Sequence, residues 1–137
     1  MWKLYALLAA FFAALTAILA KVGVTGINSN LATAIRTTVV LFLAWAVVLF
    51  GGGIRTIPQL GGKNLLFLAL SGLATGLSWL CYFKALDLGP VSKVAPIDKL
   101  SVAFTILLSI LFLHETADPK VLAGGALILL GSLVILW

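Results

Sequence analysis

Five long apolar stretches occupy nearly all of this 137-residue chain and leave it few ways to fold. They run from Leu4 to Ala20, Leu31 to Phe50, Leu65 to Phe83, Val94 to Leu113 and Val121 to Trp137. Each approaches the ~20 residues with which an α-helix crosses about 30 Å of hydrocarbon. A soluble alternative would have to bury five helices apolar on all sides, with too little polar surface left for water. At 63% hydrophobic and 9% charged residues, with mean hydropathy +1.23, the chain lies outside the range of soluble domains. The fold class expected is therefore all-α: a polytopic membrane protein, residues 1–137 forming one domain of five transmembrane helices with lipid around it.

The start of the chain resembles a signal peptide, with Lys3 before an apolar run. That run is long, lacks a polar cleavage region and is followed by four more of its kind, so it is read as a retained first span. The single cysteine, Cys81, lies inside the third span; it has no partner for an internal disulfide and is expected to be a small packing residue. A net charge of +5 can signal nucleic acid, but no basic face, aromatic platform or soluble module accompanies it. Headgroup contact and embedded cations account for it better.

The connections are short. Lys21 to Asn30 carries Gly23, Gly26 and Asn28, which suits a helix end and a turn. The longest, Phe50 to Asn64, holds Gly51-Gly52-Gly53, Pro58 and Gly61-Gly62. Gly89-Pro90 must stop the third span, and Asp118-Pro119 predicts a cap and first turn for the fifth. None of them has room for a soluble domain. Five spans put the termini on opposite sides. Lys3, Arg55, Lys63 and Lys120 then share one side and Lys21, Lys84 and Lys93 the other, with Arg36 and Lys99 embedded. Four against three is almost no bias, so the positive-inside rule sets no firm orientation; insertion both ways is expected, with a fixed orientation the alternative if Lys84 lies deeper.

Charges within the spans are costly, which makes Arg36, Asp98 and Lys99 functional candidates. At ~100° per residue, Asp98, Ser101, Thr105 and Ser109 fall within about 80° of one another and form a polar stripe, with Lys99 near its edge. Such a stripe should face protein or a water-filled cavity; alternatively, Asp98 and Lys99 neutralise each other or snorkel to an interface. Pro96 frees a carbonyl of the preceding turn, either for a ligand or to shape a kink. In the third span Ser71, Thr75, Ser78 and Tyr82 share one side, with Trp79 beside them and a GxxxG spacing at Gly72 and Gly76. Trp79 and Tyr82 are candidate cavity-lining residues or interface anchors; the mid-span position of Trp79 favours the cavity. Arg36 either snorkels or faces the bundle and pairs with Asp98 or with a substrate carboxylate or phosphate. The alanine-rich first span suggests a smooth packing face, and Gly124, Gly125, Gly131 and Ser132 make the last span a packing or dimer helix.

Catalysis has little support. His114-Glu115 begins a zinc-protease HExxH, but Asp118 stands where the second histidine belongs. No base is placed to activate the Ser, Thr or Tyr residues. Neither an enzymatic activity nor a cofactor or metal is expected.

The order Phe83-Lys84-Ala85-Leu86, Gly89-Pro90-Val91-Ser92, Ala95-Pro96 and Leu113-His114-Glu115 resembles the EamA repeat of the drug/metabolite transporter superfamily. The tail from Val121 to Gly131 resembles that repeat's final helix, and Arg36 matches an arginine often seen in its second span. The likeness covers essentially the whole chain as one five-helix unit. It implies secondary transport. Larger members carry two such units in opposite orientations around a central cavity, so a chain with one unit implies an antiparallel homodimer, which the balanced lysines permit. Small multidrug exporters, a related four-helix group, use a glutamate in the first helix; this chain has no acid there, which argues against polyaromatic cations.

On this reading the substrates are small anionic or zwitterionic metabolites, such as amino acids or organic acids. The substrate-binding candidates are Arg36, Trp79, Tyr82, Lys99, Ser101 and Thr105, and Asp98 is the candidate for proton coupling. The expected site is the cytoplasmic membrane of a bacterium or archaeon. Two alternatives stay open: a flippase for a phosphorylated lipid carrier, and a non-transporting subunit of a larger membrane complex.

Overall fold

The computed structural model describes residues 1–116 and 118–137. In chain order it forms α1 (Trp2–Val24), α2 (Ser29–Phe50), a 3₁₀ helix (Gly53–Gln59), α3 (Gly62–Leu88), α4 (Val91–Asp98), α5 (Ser101–Leu113) and α6 (Pro119–Leu136). Five segments are long and apolar enough to cross a membrane: α1, α2, α3, Val91–Leu113 and α6. The protein is an all-α integral membrane protein, as the apolar runs predict. The described chain divides into two compact units, residues 20–87 and residues 1–19 with 88–137.

The helices overrun the apolar stretches because hydropathy marks contact with lipid, whereas a helix ends where its hydrogen bonding is stopped. α3 continues through Lys84 and Asp87 to Leu88 and stops at Gly89-Pro90. α2 begins at Ser29 because the Asn28 side chain accepts from the Asn30 N–H at 2.8 Å and the Leu31 N–H at 3.3 Å. Asp118 caps α6 in the same way through the Lys120 N–H at 3.1 Å, with Pro119 in the first turn. α5 ends at His114, which takes the left-handed conformation at φ 54°.

Two features depart from expectation. The long connection after α2 is ordered as a 3₁₀ helix entered through Gly52, whose φ of 73° suits glycine, and it packs against α2. More consequentially, the fourth span is not one continuous helix. It breaks at Lys99–Leu100, where Lys99 N–H bonds Pro96 C=O and Leu100 N–H bonds Ile97 C=O, each at 3.0 Å. Beyond the break, Val102 N–H bonds Lys99 C=O and Ala103 N–H bonds Leu100 C=O, again at 3.0 Å. These are three-residue closures, tighter than the four-residue ladder of an α-helix. A single 100° wheel therefore does not run from Asp98 into α5.

In residues 20–87 the buried positions are mostly small or compact: Ala20, Val24, Ser29, Ala32, Thr33, Phe83 and Leu86. Lys21, in the last turn of α1, donates to the Leu86 carbonyl near the end of α3, where helix carbonyls lack intrahelical partners. In the other unit α6 packs along both α4 and α5. Its buried residues are Gly125 and Ser132. A Cβ on Gly125 would lie 2.5 Å from Cδ1 of Ile106, so α6 at Gly125 lies directly against the Ile106 side chain of α5.

Candidate functional site

Arg36 lies seven residues after Ser29, the first residue of α2 and one fixed by the Asn28 cap, and so sits well inside the span. It is half-buried. Its Cζ stands 4.1 Å from the centroid of the Trp79 ring and 5.6 Å from that of Phe83. Trp79 and Phe83 are four residues apart on α3, the spacing that puts two side chains on one helix face. Trp79 is half-buried and Phe83 only 3% exposed, so the cation rests on a platform that is itself held in place. Tyr82, also half-buried, meets the Phe83 ring edge-on with centroids 6.5 Å apart.

Arg36 faces aromatic rings. A guanidinium over an aromatic face gains about 0.5–2 kcal/mol, and the gain grows as water is excluded. Stacking uses the flat faces of the group and leaves its N–H edges, the part that recognises carboxylate or phosphate, for another partner. The ion pairs among the described residues are Lys84 with Asp87 at 3.0 Å and Lys99 with Asp98 at 3.4 Å. Asp98 is thus engaged with its neighbour, and among the described residues no carboxylate balances Arg36.

Asp98 and Lys99 flank the start of the break, Asp98 half-buried and Lys99 exposed. Their mutual neutralisation, one of the two readings of the sequence, is what the geometry holds. Ser101 and Thr105 are exposed on α5. The Thr105 hydroxyl donates to the Ser101 carbonyl at 2.8 Å, and that of Ser109 to the Ile106 carbonyl at 3.0 Å. The hydroxyls of Thr105 and Ser109 thereby satisfy themselves on their own helix, the usual economy for Ser and Thr in a span. Within residues 20–87 the structure brings Arg36 to Trp79, and within the other unit it pairs Asp98 with Lys99 and bonds Thr105 to Ser101.

Phe83 is not among the site candidates of the sequence, where it ends the third apolar run and opens the segment Phe83-Lys84-Ala85-Leu86. The available signal was its spacing of four from Trp79. The stack can be checked without any substrate, because the chain has two arginines, Arg36 and Arg55. In nanodiscs the Arg36 Nε–H resonance is expected upfield of that of Arg55 through the Trp79 ring current. Trp79→Leu should return it to the position of Arg55; an unmoved resonance would refute the stack.

Compared with known proteins, residues 1–137 match the EamA-like transporter family. A relative from Sinorhizobium sp, named "Uncharacterized transporter in cobO 3'region", is 49% identical over 134 residues, covering 98% of this chain and 95% of its own length. No solved structure matches the chain. Five apolar spans, the embedded arginine and this likeness along the whole length agree, and the chain belongs to the EamA-like transporter family.

Proposed function

We propose that this protein is a secondary transporter of small anionic or zwitterionic metabolites, such as amino acids or organic acids, and not an enzyme. It works by alternating access as an antiparallel homodimer, each copy supplying one five-helix domain, in the cytoplasmic membrane of a bacterium or archaeon. Membership of the family and the name of the Sinorhizobium relative support the membrane transporter. The observation that carries the charge preference is Arg36, stacked on Trp79 and Phe83 with its hydrogen-bonding edges directed to no carboxylate among the described residues.

Because Asp98 and Lys99 offset each other, each copy brings a net positive group through Arg36. Two copies around one cavity attract anions and repel organic cations. The guanidinium binds a substrate carboxylate edge-on, while Trp79 and Tyr82 cover the apolar part of the molecule. Lys99, Ser101 and Thr105 contribute further polar contacts. Asp98 exchanges a proton between the two sides, and Lys99 is its partner when ionised.

The test is uptake by the purified protein alone in liposomes, offered labelled glutamate, glycine, succinate and tetraethylammonium. Uptake of one or more of the first three, driven by an inward proton gradient in the parent and unresponsive to that gradient in Asp98→Asn, is expected. Transport of tetraethylammonium alone, or no transport without an added protein, would defeat the proposal.

A further inference from the structure

Ser132 behaves unlike the threonines of the spans. Thr33, Thr37, Thr38, Thr75 and Thr105 each donate to the carbonyl four residues earlier in the same helix. That local bond is the default for a hydroxyl in an apolar helix, because it satisfies the group without a second element. Ser132 instead donates across 36 residues to the Pro96 carbonyl in α4, at 3.0 Å. Ser132 is 4% exposed and Pro96 half-buried, so the bond is sheltered on the Ser132 side.

The acceptor is equally particular. In a continuous helix the Pro96 carbonyl would receive the Leu100 N–H, but that donor bonds Ile97. The Pro96 carbonyl takes Lys99 N–H on one lone pair and the Ser132 hydroxyl on the other. Seven residues before Ser132, and within about 20° of it on the α6 surface, is Gly125. Gly125 meets Ile106, beyond the break, as Ser132 meets Pro96, before it. One face of α6 thus grips both halves of the broken span.

We propose that α6 is a brace across the break and that Ser132 is a positioning residue for the Asp98–Lys99 turn. While its hydroxyl occupies the Pro96 carbonyl, the break is held. When the hydroxyl leaves, the turn opens more often, which frees the Lys99 and Leu100 amides and lets Asp98 and Lys99 move relative to α6. The role of those two residues in transport rests on the proposed function; the brace itself does not.

The experiment therefore has two arms. In nanodiscs with no ligand present, amide hydrogen exchange is followed by NMR for the parent, Ser132→Ala and Ser132→Thr. Loss of the bond in Ser132→Ala should speed exchange at Lys99 and Leu100 by roughly three- to tenfold. Amides of α6 and of residues 20–87 should be unchanged, and Ser132→Thr should restore the parent rates. Unaltered rates at Lys99 and Leu100, acceleration spread evenly through α6, or equal acceleration in the Ala and Thr variants would overturn the brace. In the second arm, uptake of whichever anion the parent transports should change in maximal rate in Ser132→Ala, with KM within about twofold. A normal first arm with unchanged uptake would remove only the role of the turn in transport.

Discussion

Replacing Arg36 with alanine is expected to abolish uptake of the transported anion while leaving the helices in place. The guanidinium has different partners in the two states of the site. Empty, it is stabilised by the Trp79 and Phe83 faces, 4.1 and 5.6 Å from Cζ, rather than by a carboxylate. Filled, it makes charge-assisted hydrogen bonds to the substrate away from bulk water, where losing one partner of a charged pair costs about 2–5 kcal/mol. At the lower end that is already roughly a thirtyfold loss of affinity. Arg36→Lys keeps a positive charge but loses the planar fork and its stacking, and should retain uptake weakened by about tenfold. Circular dichroism and thermal unfolding in detergent should change little for either variant, because Arg36 joins no ion pair that would be broken among the described residues. Parent-like uptake by Arg36→Ala would remove the anion site from the proposal.

The second large effect concerns orientation. With four cations on one side and three on the other, the parent should insert both ways, and a reporter after Trp137 should give signal from both faces of the membrane. Gln59→Lys with Asn64→Lys raises the count to six against three. Thr25→Lys with Lys63→Gln and Lys120→Gln reverses it to two against four. Each biased protein alone should show signal from one side and lose uptake by at least about tenfold, since no inverted copy completes the cavity. Producing both together should restore it. A parent that reports from one side only and still transports would exclude the inverted homodimer.

The spans were legible because a run of apolar residues near twenty long has few fates other than a membrane helix. The start of α6 was legible because Asp118-Pro119 carries its cap in the local sequence. The break at Lys99–Leu100 was not. Hydropathy is indifferent to whether a closure takes three residues or four, and Pro96 signals only that something can bend nearby. Where the bend falls depends on Ser132, which is 36 residues away and reads locally as one more small packing residue. Arg36 stood out by its charge, and Trp79 by its depth. Their contact, and the part played by Phe83, depend on how two separate helices meet, which no local pattern states. The expected polar stripe starts at Asp98, before the break, and of its α5 members Thr105 and Ser109 spend their hydroxyls on their own backbone.

The length of α5 bears on where the charges of the fourth span would sit in a bilayer. α5 has 13 residues and so covers about 20 Å, short of the ~30 Å hydrocarbon slab. Were Leu113 set at one edge of the hydrocarbon, Lys99 and Asp98 would lie roughly 10 Å beneath the other, with α4 spanning the remainder. Bilayer thickness then controls hydration of the pair: a thin membrane lifts it toward the headgroups, and a thick one submerges it. The lipid around this protein becomes a setting for its chemistry as well as its solvent.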